Sequence, residues 1–141
     1  MNSCTEKTLS IPVPAPAWDR ALRVEDSTAG DAVIVRAAGE IDLGTAPRLD
    51  RHLHTVRARA GTSPVVLDLT QVVFLAATGL ELLLRHHHAC AFHGTELRIV
   101  ATRRAVLHPL RTAGLDLVLH LHPTVPAALA AALGRRDRAG R

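Results

Sequence analysis

Nine histidines, two cysteines and two clusters of hydroxyls or carboxylates beside glycines are the residues of this 141-residue chain that could do chemistry. His86-His87-His88, His52-x-His54 and His120-x-His122 invite a metal ion. Neighbours on a helix diverge by about 100°, so three consecutive imidazoles cannot converge on one ion, and no cysteine or carboxylate stands at a helpful spacing. The expectation is no metal site, with His87 partly buried on an apolar stripe and His86 and His88 exposed. Cys90 lies between Ala89 and Ala91 in a helical pattern and reads as a packing residue, not a nucleophile. Cys4 is most of the chain away from it, so no disulfide is expected and a reduced, cytoplasmic setting fits. There is no Gly-rich phosphate loop, no Gly-x-Ser-x-Gly and no catalytic carboxylate pair. An enzyme is therefore not expected, nor is a cofactor.

Two segments hold the remaining polar groups at suggestive spacing. In Gly39-Glu40-Ile41-Asp42-Leu43-Gly44-Thr45-Ala46-Pro47, Glu40 and Asp42 flank an apolar residue and can share one face as an acidic lip. Thr45 or Asp42 can also cap the helix that follows through a side-chain oxygen. In Val72 to Leu84 an apolar strand turns straight into a helix, which aims unpaired N–H groups and the positive end of a helix dipole at whatever faces it. That suits an anion, a phosphoryl group or a partner protein.

The elements that must position these segments are legible from periodicity. Residues 1–17, with alternating prolines at Pro12, Pro14 and Pro16, read as a disordered arm outside the domain. Ala21–Glu25 and Ala32–Gly39 read as a hairpin around the turn residues Asp26 to Asp31. Ala46, Leu49, Leu53, Val56 and Ala60 mark a helix ending at Gly61, and Val65–Leu69 a central strand. Leu80, Leu83, Leu84, His87 and Ala91 trace the next helix up to Gly94, and Glu96–Val100 the next strand. A third helix around Val106 and Leu110 should be short or kinked at Pro109, followed by a strand over Leu117–Leu121. A last helix runs from Val125 to Gly134, leaving 135–141 as a basic tail. The sum is one α/β domain over 18–134, with a mixed, mostly parallel sheet of about five strands and about four helices.

Composition narrows the partners. Aromatic residues are only 2% of the chain, so the core must be Leu, Val, Ile and Ala. The net charge of +4 owes +3 to the tail, and a nearly neutral body without stacking aromatics argues against nucleic acid. No apolar run is long enough for export or for a membrane span.

Gly39-Glu40-Ile41-Asp42-Leu43-x-Thr45-Ala46-Pro47, Val66-Leu67-Asp68-Leu69 and Phe74-Leu75-x-x-Thr78-Gly79-Leu80, in that order, resemble the STAS domain of bacterial anti-sigma factor antagonists over roughly residues 20 to 133. The resemblance implies a STAS fold and a partner-switching module that regulates sigma-factor-dependent transcription. Such a module binds an anti-sigma factor of the serine-protein kinase type until a serine at the strand-to-helix turn is phosphorylated. Family members carry Asp-Ser-Ser-Gly-Leu or Asp-Ser-Thr-Gly-Leu there, whereas this chain has Ala76-Ala77-Thr78-Gly79-Leu80. Ala77 stands at the acceptor position and has no oxygen to phosphorylate. Thr78 is expected to cap the helix, and is the one displaced candidate for phosphorylation. The expected partner surface combines Glu40, Asp42, Thr45, Ala76, Ala77, Thr78, Gly79, Glu81 and Arg85. A small-ligand or nucleotide sensor using the same helix N-terminus, and a scaffold subunit of a signalling complex, are the alternatives. The sequence leaves monomer and homodimer open.

Overall fold

The computed structural model describes residues 21–139, so the proline-containing arm at 1–17 lies outside it. Strands β1 (Leu22–Ala29), β2 (Ala32–Ile41), β3 (Val65–Leu75), β4 (Leu97–Val100) and β5 (His120–His122) form one sheet in sequence order. β1 runs antiparallel to β2, and the other neighbours are parallel. Helices α1 (Ala46–Ala60), α2 (Ala77–Phe92) and α3 (Arg104–Thr112) are the crossovers, and α4 (Val125–Ala139) closes the described chain. The α/β class with a mostly parallel five-stranded sheet and four helices is as expected.

Parallel neighbours need crossovers, and here the three crossover helices share one face of the sheet. Leu49, Leu53 and Val56 of α1, Leu82, Leu83 and Cys90 of α2, and Val106 and Leu110 of α3 meet Val35, Leu67, Leu69 and Ile99 in the main core. On the opposite face α4 covers only a small cluster of Ile34, Val66, Val100 and Ala128. Among the described residues the buried apolar side chains are aliphatic, apart from Cys90, as the composition leads one to expect.

Several boundaries differ from the periodicity reading. Asp26, Ser27 and Thr28 belong to β1, paired with Val35, Ile34 and Val33, and the chain reverses at Gly30, whose φ is +60°. Turn-forming residue types are tolerated there because most of their side chains face water while the backbone ladder is satisfied. The segments Val65–Leu69 and Val72–Leu75 are one eleven-residue strand. β3 keeps its apolar face inward through shifts of register against β2 between Arg36 and Ala38 and between Gly39 and Glu40. α3 is short as expected, nine residues, and runs unbroken through Pro109. Leu115–Leu117 is a 3₁₀ turn, so the last strand starts at His120 rather than Leu117, leaving Leu117 exposed. α4 continues past Gly134 to Ala139, so the first residues of the basic segment are helical rather than a tail. An interior glycine costs a helix about 1 kcal/mol, which does not stop it.

Candidate partner-binding surface

The two segments singled out in the sequence meet at the C-terminal ends of β2 and β3. Glu40 pairs with Phe74 and Ile41 with Leu75 across the ladder, and the Ala76 N–H donates to the Ile41 carbonyl at 2.8 Å. The loop after β2 and the turn before α2 are thereby one unit.

Within the β2–α1 loop the polar side chains face inward. Asp42 Oδ1 accepts from the backbone N–H groups of Gly44 and Thr45, both at 2.9 Å, an Asx-type turn. Thr45 Oγ1 donates to the Glu40 carbonyl at 2.7 Å and accepts from the Asp42 N–H at 2.9 Å. Thr45 is at the N-cap of α1, yet its side chain caps nothing, because its hydroxyl is spent on the loop and its backbone is already helical. The expected side-chain cap is replaced by this turn, with Ala46 N–H bonded to the Asp42 carbonyl. Thr45 is only 3% exposed. Glu40 is exposed and Asp42 half-buried, so the acidic lip presents chiefly Glu40.

At the strand-to-helix turn the N-cap residue of α2 is Ala76, in extended conformation, with no side-chain hydrogen bond. Thr78 therefore stands inside the first turn rather than before it, and the expected cap by its hydroxyl is not made. Its Oγ1 is buried with no hydrogen-bond partner. Ala77 is exposed, and Gly79 is buried. A Cβ on Gly79 would lie 2.5 Å from Leu75 Cδ1 and 2.8 Å from Ile41 Cγ2, so glycine lets α2 press onto the ends of both strands.

That close approach also fixes how α2 is rotated. Its buried residues are Gly79, Leu82, Leu83, His86 and Cys90, each one position before the expected stripe of Leu80, Leu83, Leu84, His87 and Ala91. Leucines at 80, 82, 83 and 84 support either rotation, and the glycine decides it. His86 is buried, contrary to expectation, while His87 is half-buried and His88 exposed as expected. Cys90 is buried, which pushes its thiol up and away from nucleophilic use.

Glu81 and Arg85 are exposed on the outer side of α2, and Arg85 reaches Asp50 Oδ1 of α1 at 3.3 Å. Sequence reasoning missed the apolar part of this surface. Leu43 is 76% exposed, and Val73 and Phe74 are about half exposed, beside Glu40 and the turn. Large apolar side chains grouped in water at one end of a sheet make it a candidate contact surface. The hydrophobicity of Val73 and Phe74 reads in the sequence simply as strand.

A STAS domain family model matches residues 23–128. The chain belongs to the STAS domain family. It is 30% identical over 133 residues to the anti-sigma-F factor antagonist RsfA of Mycobacterium tuberculosis, covering 93% of this chain and 99% of that one. The crystal structure of an anti-sigma factor antagonist from Mycobacterium paratuberculosis superposes with a TM-score of 0.74 at 30% identity, covering 85% of this chain and 98% of that one. The unphosphorylated anti-sigma factor antagonist SpoIIAA has the same fold, with a TM-score of 0.66 at 17% identity over 81% of this chain and 97% of that one. Among the described residues no helix is long and apolar enough to cross a membrane.

Proposed function

We propose that this STAS domain is an anti-sigma factor antagonist whose binding face is permanently unphosphorylated. It binds an anti-sigma factor of the serine-kinase type and so releases a sigma factor, acting by contact rather than by turnover. One observation carries this reading: at the phosphoacceptor position, an exposed Ala77 opens α2 beside exposed Leu43, Val73 and Phe74. An added phosphate, worth about −1.5 to −2 charge, would disrupt such an apolar contact, and the chain has removed the oxygen that could carry it. Thr78 does not replace it, because its hydroxyl is buried beneath the turn.

Glu40, Ala76, Ala77, Glu81 and Arg85 supply the polar and backbone part of the face, and Leu43 and Phe74 its apolar part. Asp42, Thr45, Thr78 and Gly79 act from beneath, by holding the loop and the turn in shape. This working surface is narrower than the set expected from sequence. The cytoplasmic setting belongs to the same reading, as do the domain boundaries 18–134, although the last helix runs on past 134 to Ala139.

The test is calorimetric titration of the full chain into its cognate anti-sigma factor, with Phe74→Asp and Glu40→Lys variants, before and after incubation with ATP. Both variants are expected to bind at least tenfold more weakly, and the intact mass of the wild-type chain to stay unchanged. Unaltered affinity in both variants removes the surface, and a stoichiometric phosphate on the wild type removes the unswitched reading.

A further inference from the structure

Asp50 and His54 lie one turn apart on α1, and His86 reaches them from α2. His86 Nε2 is 2.7 Å from Asp50 Oδ1, and His54 Nε2 is 3.7 Å from the same oxygen. One donor atom from each of the three residues lies within 4.8 Å of the other two. The two imidazoles meet edge to face with centroids 4.9 Å apart. His86 is fixed in the core, whereas His54 is more than half exposed and Asp50 about a quarter, so the cluster opens to solvent on one side.

Both rings are oriented from behind by one side chain. Arg57 donates through Nε to His86 Nδ1 at 3.1 Å and through Nη2 to His54 Nδ1 at 3.2 Å. Arginine has only donors, so both Nδ1 atoms accept and both Nε2 atoms are left facing the Asp50 carboxylate.

We propose that Asp50, His54 and His86 bind a borderline-soft divalent cation, with zinc as the reference ion. The ligands are the two Nε2 atoms and Asp50 Oδ1, and water takes the fourth position. Two imidazoles and one carboxylate with an open position are a zinc donor set, whereas magnesium and calcium call for oxygen ligands throughout. A tetrahedral zinc site holds its ligand atoms roughly 3.3 Å apart, so with His86 in place the Asp50 oxygen draws back from its 2.7 Å contact and the exposed His54 closes in.

The cation competes with Arg57. A ring that ligates through Nε2 in its neutral form carries its proton on Nδ1, where it can no longer accept from a guanidinium. Binding moves each proton from Nε2 to Nδ1 and releases Arg57, and Arg85 gives up its contact with Asp50. A glutamine at position 57 would accept from an Nδ1–H through its amide oxygen and would remove a positive charge, so it favours the ion. The bound ion would join α1 to α2 in place of the His86–Asp50 and Arg57–His86 hydrogen bonds that link the two helices without it.

The test uses the full chain, without a polyhistidine tag and stripped with chelator, titrated with Zn²⁺ and separately with Mg²⁺. One zinc per chain and no magnesium heat are expected. His54→Ala should weaken zinc at least tenfold, His88→Ala should leave it unchanged, and Arg57→Gln should tighten it at least threefold. Exposed His54 makes its alanine variant safe for folding, which a thermal melt verifies. Absence of one-to-one binding, or equal loss in His54→Ala and His88→Ala, overturns the site, and weaker binding in Arg57→Gln overturns the competition.

Discussion

Thr78 carries a hydroxyl that the fold leaves unused: Oγ1 is buried and has no hydrogen-bond partner. An unsatisfied buried polar group costs about 1–3 kcal/mol, and valine has nearly the same shape and helix propensity as threonine. Thr78→Val should therefore stabilise the domain by about 1 kcal/mol, seen as a higher urea midpoint at unchanged slope. A cap or an accessible phosphoacceptor would predict the reverse, a loss of stability or of modification. The type and place of this residue were legible from the sequence, but its role was not. A shift of two positions, from the N-cap at Ala76 to Thr78, separates a capping oxygen from a buried one.

At the scale of the element, α2 depends on the missing side chain of Gly79. A methyl group there must displace Leu75 and Ile41, both buried, at an overpacking cost of about 1–3 kcal/mol, against which alanine regains about 1 kcal/mol of helix propensity. Gly79→Ala should on balance lower stability by roughly 1 kcal/mol and lower partner affinity, since the turn it displaces is the proposed contact. Urea denaturation and calorimetry read the two effects separately. The strand-to-helix junction itself was visible in the sequence, because an apolar run gives way to a helical pattern at a glycine. The rotation of α2 was not, since its leucine-rich start fits two helical faces about 100° apart. That ambiguity is why His86 read as exposed, and why no carboxylate was placed near it.

At the scale of the whole molecule, the described residues cover the sheet unevenly, with three helices on one face and one on the other. Arg98 of β4 and His122 of β5 lie under that thinner cover, with Glu96 just before β4. Arg98 donates to Glu96 Oε1 at 2.9 Å, and its Nη1 is 3.0 Å from His122 Nε2. Burial, and then the charge of Arg98, hold the His122 imidazole below its ordinary value of 6.5. The unfolded chain thus binds a proton at a higher pH than the native one, so this contribution to stability is present above about pH 6.5 and is lost as pH falls toward the folded value. Urea denaturation at pH 7.5 and 5.5 should give a lower stability at 5.5, and His122→Asn should reduce that difference.

The order of elements, the aliphatic core, the two polar segments beside glycines and the absence of a side-chain oxygen at Ala77 were determined by the sequence alone. Each is a local property: a period, a turn residue, or the absence of an oxygen. Only the tertiary structure decided which residues share a surface. It buried Thr45 in its own loop, exposed Phe74 beside Glu40, and carried His86 across to Asp50 and His54. Those relations depend on the register between β2 and β3 and on the rotation of α2, both set by long-range packing that no local pattern encodes.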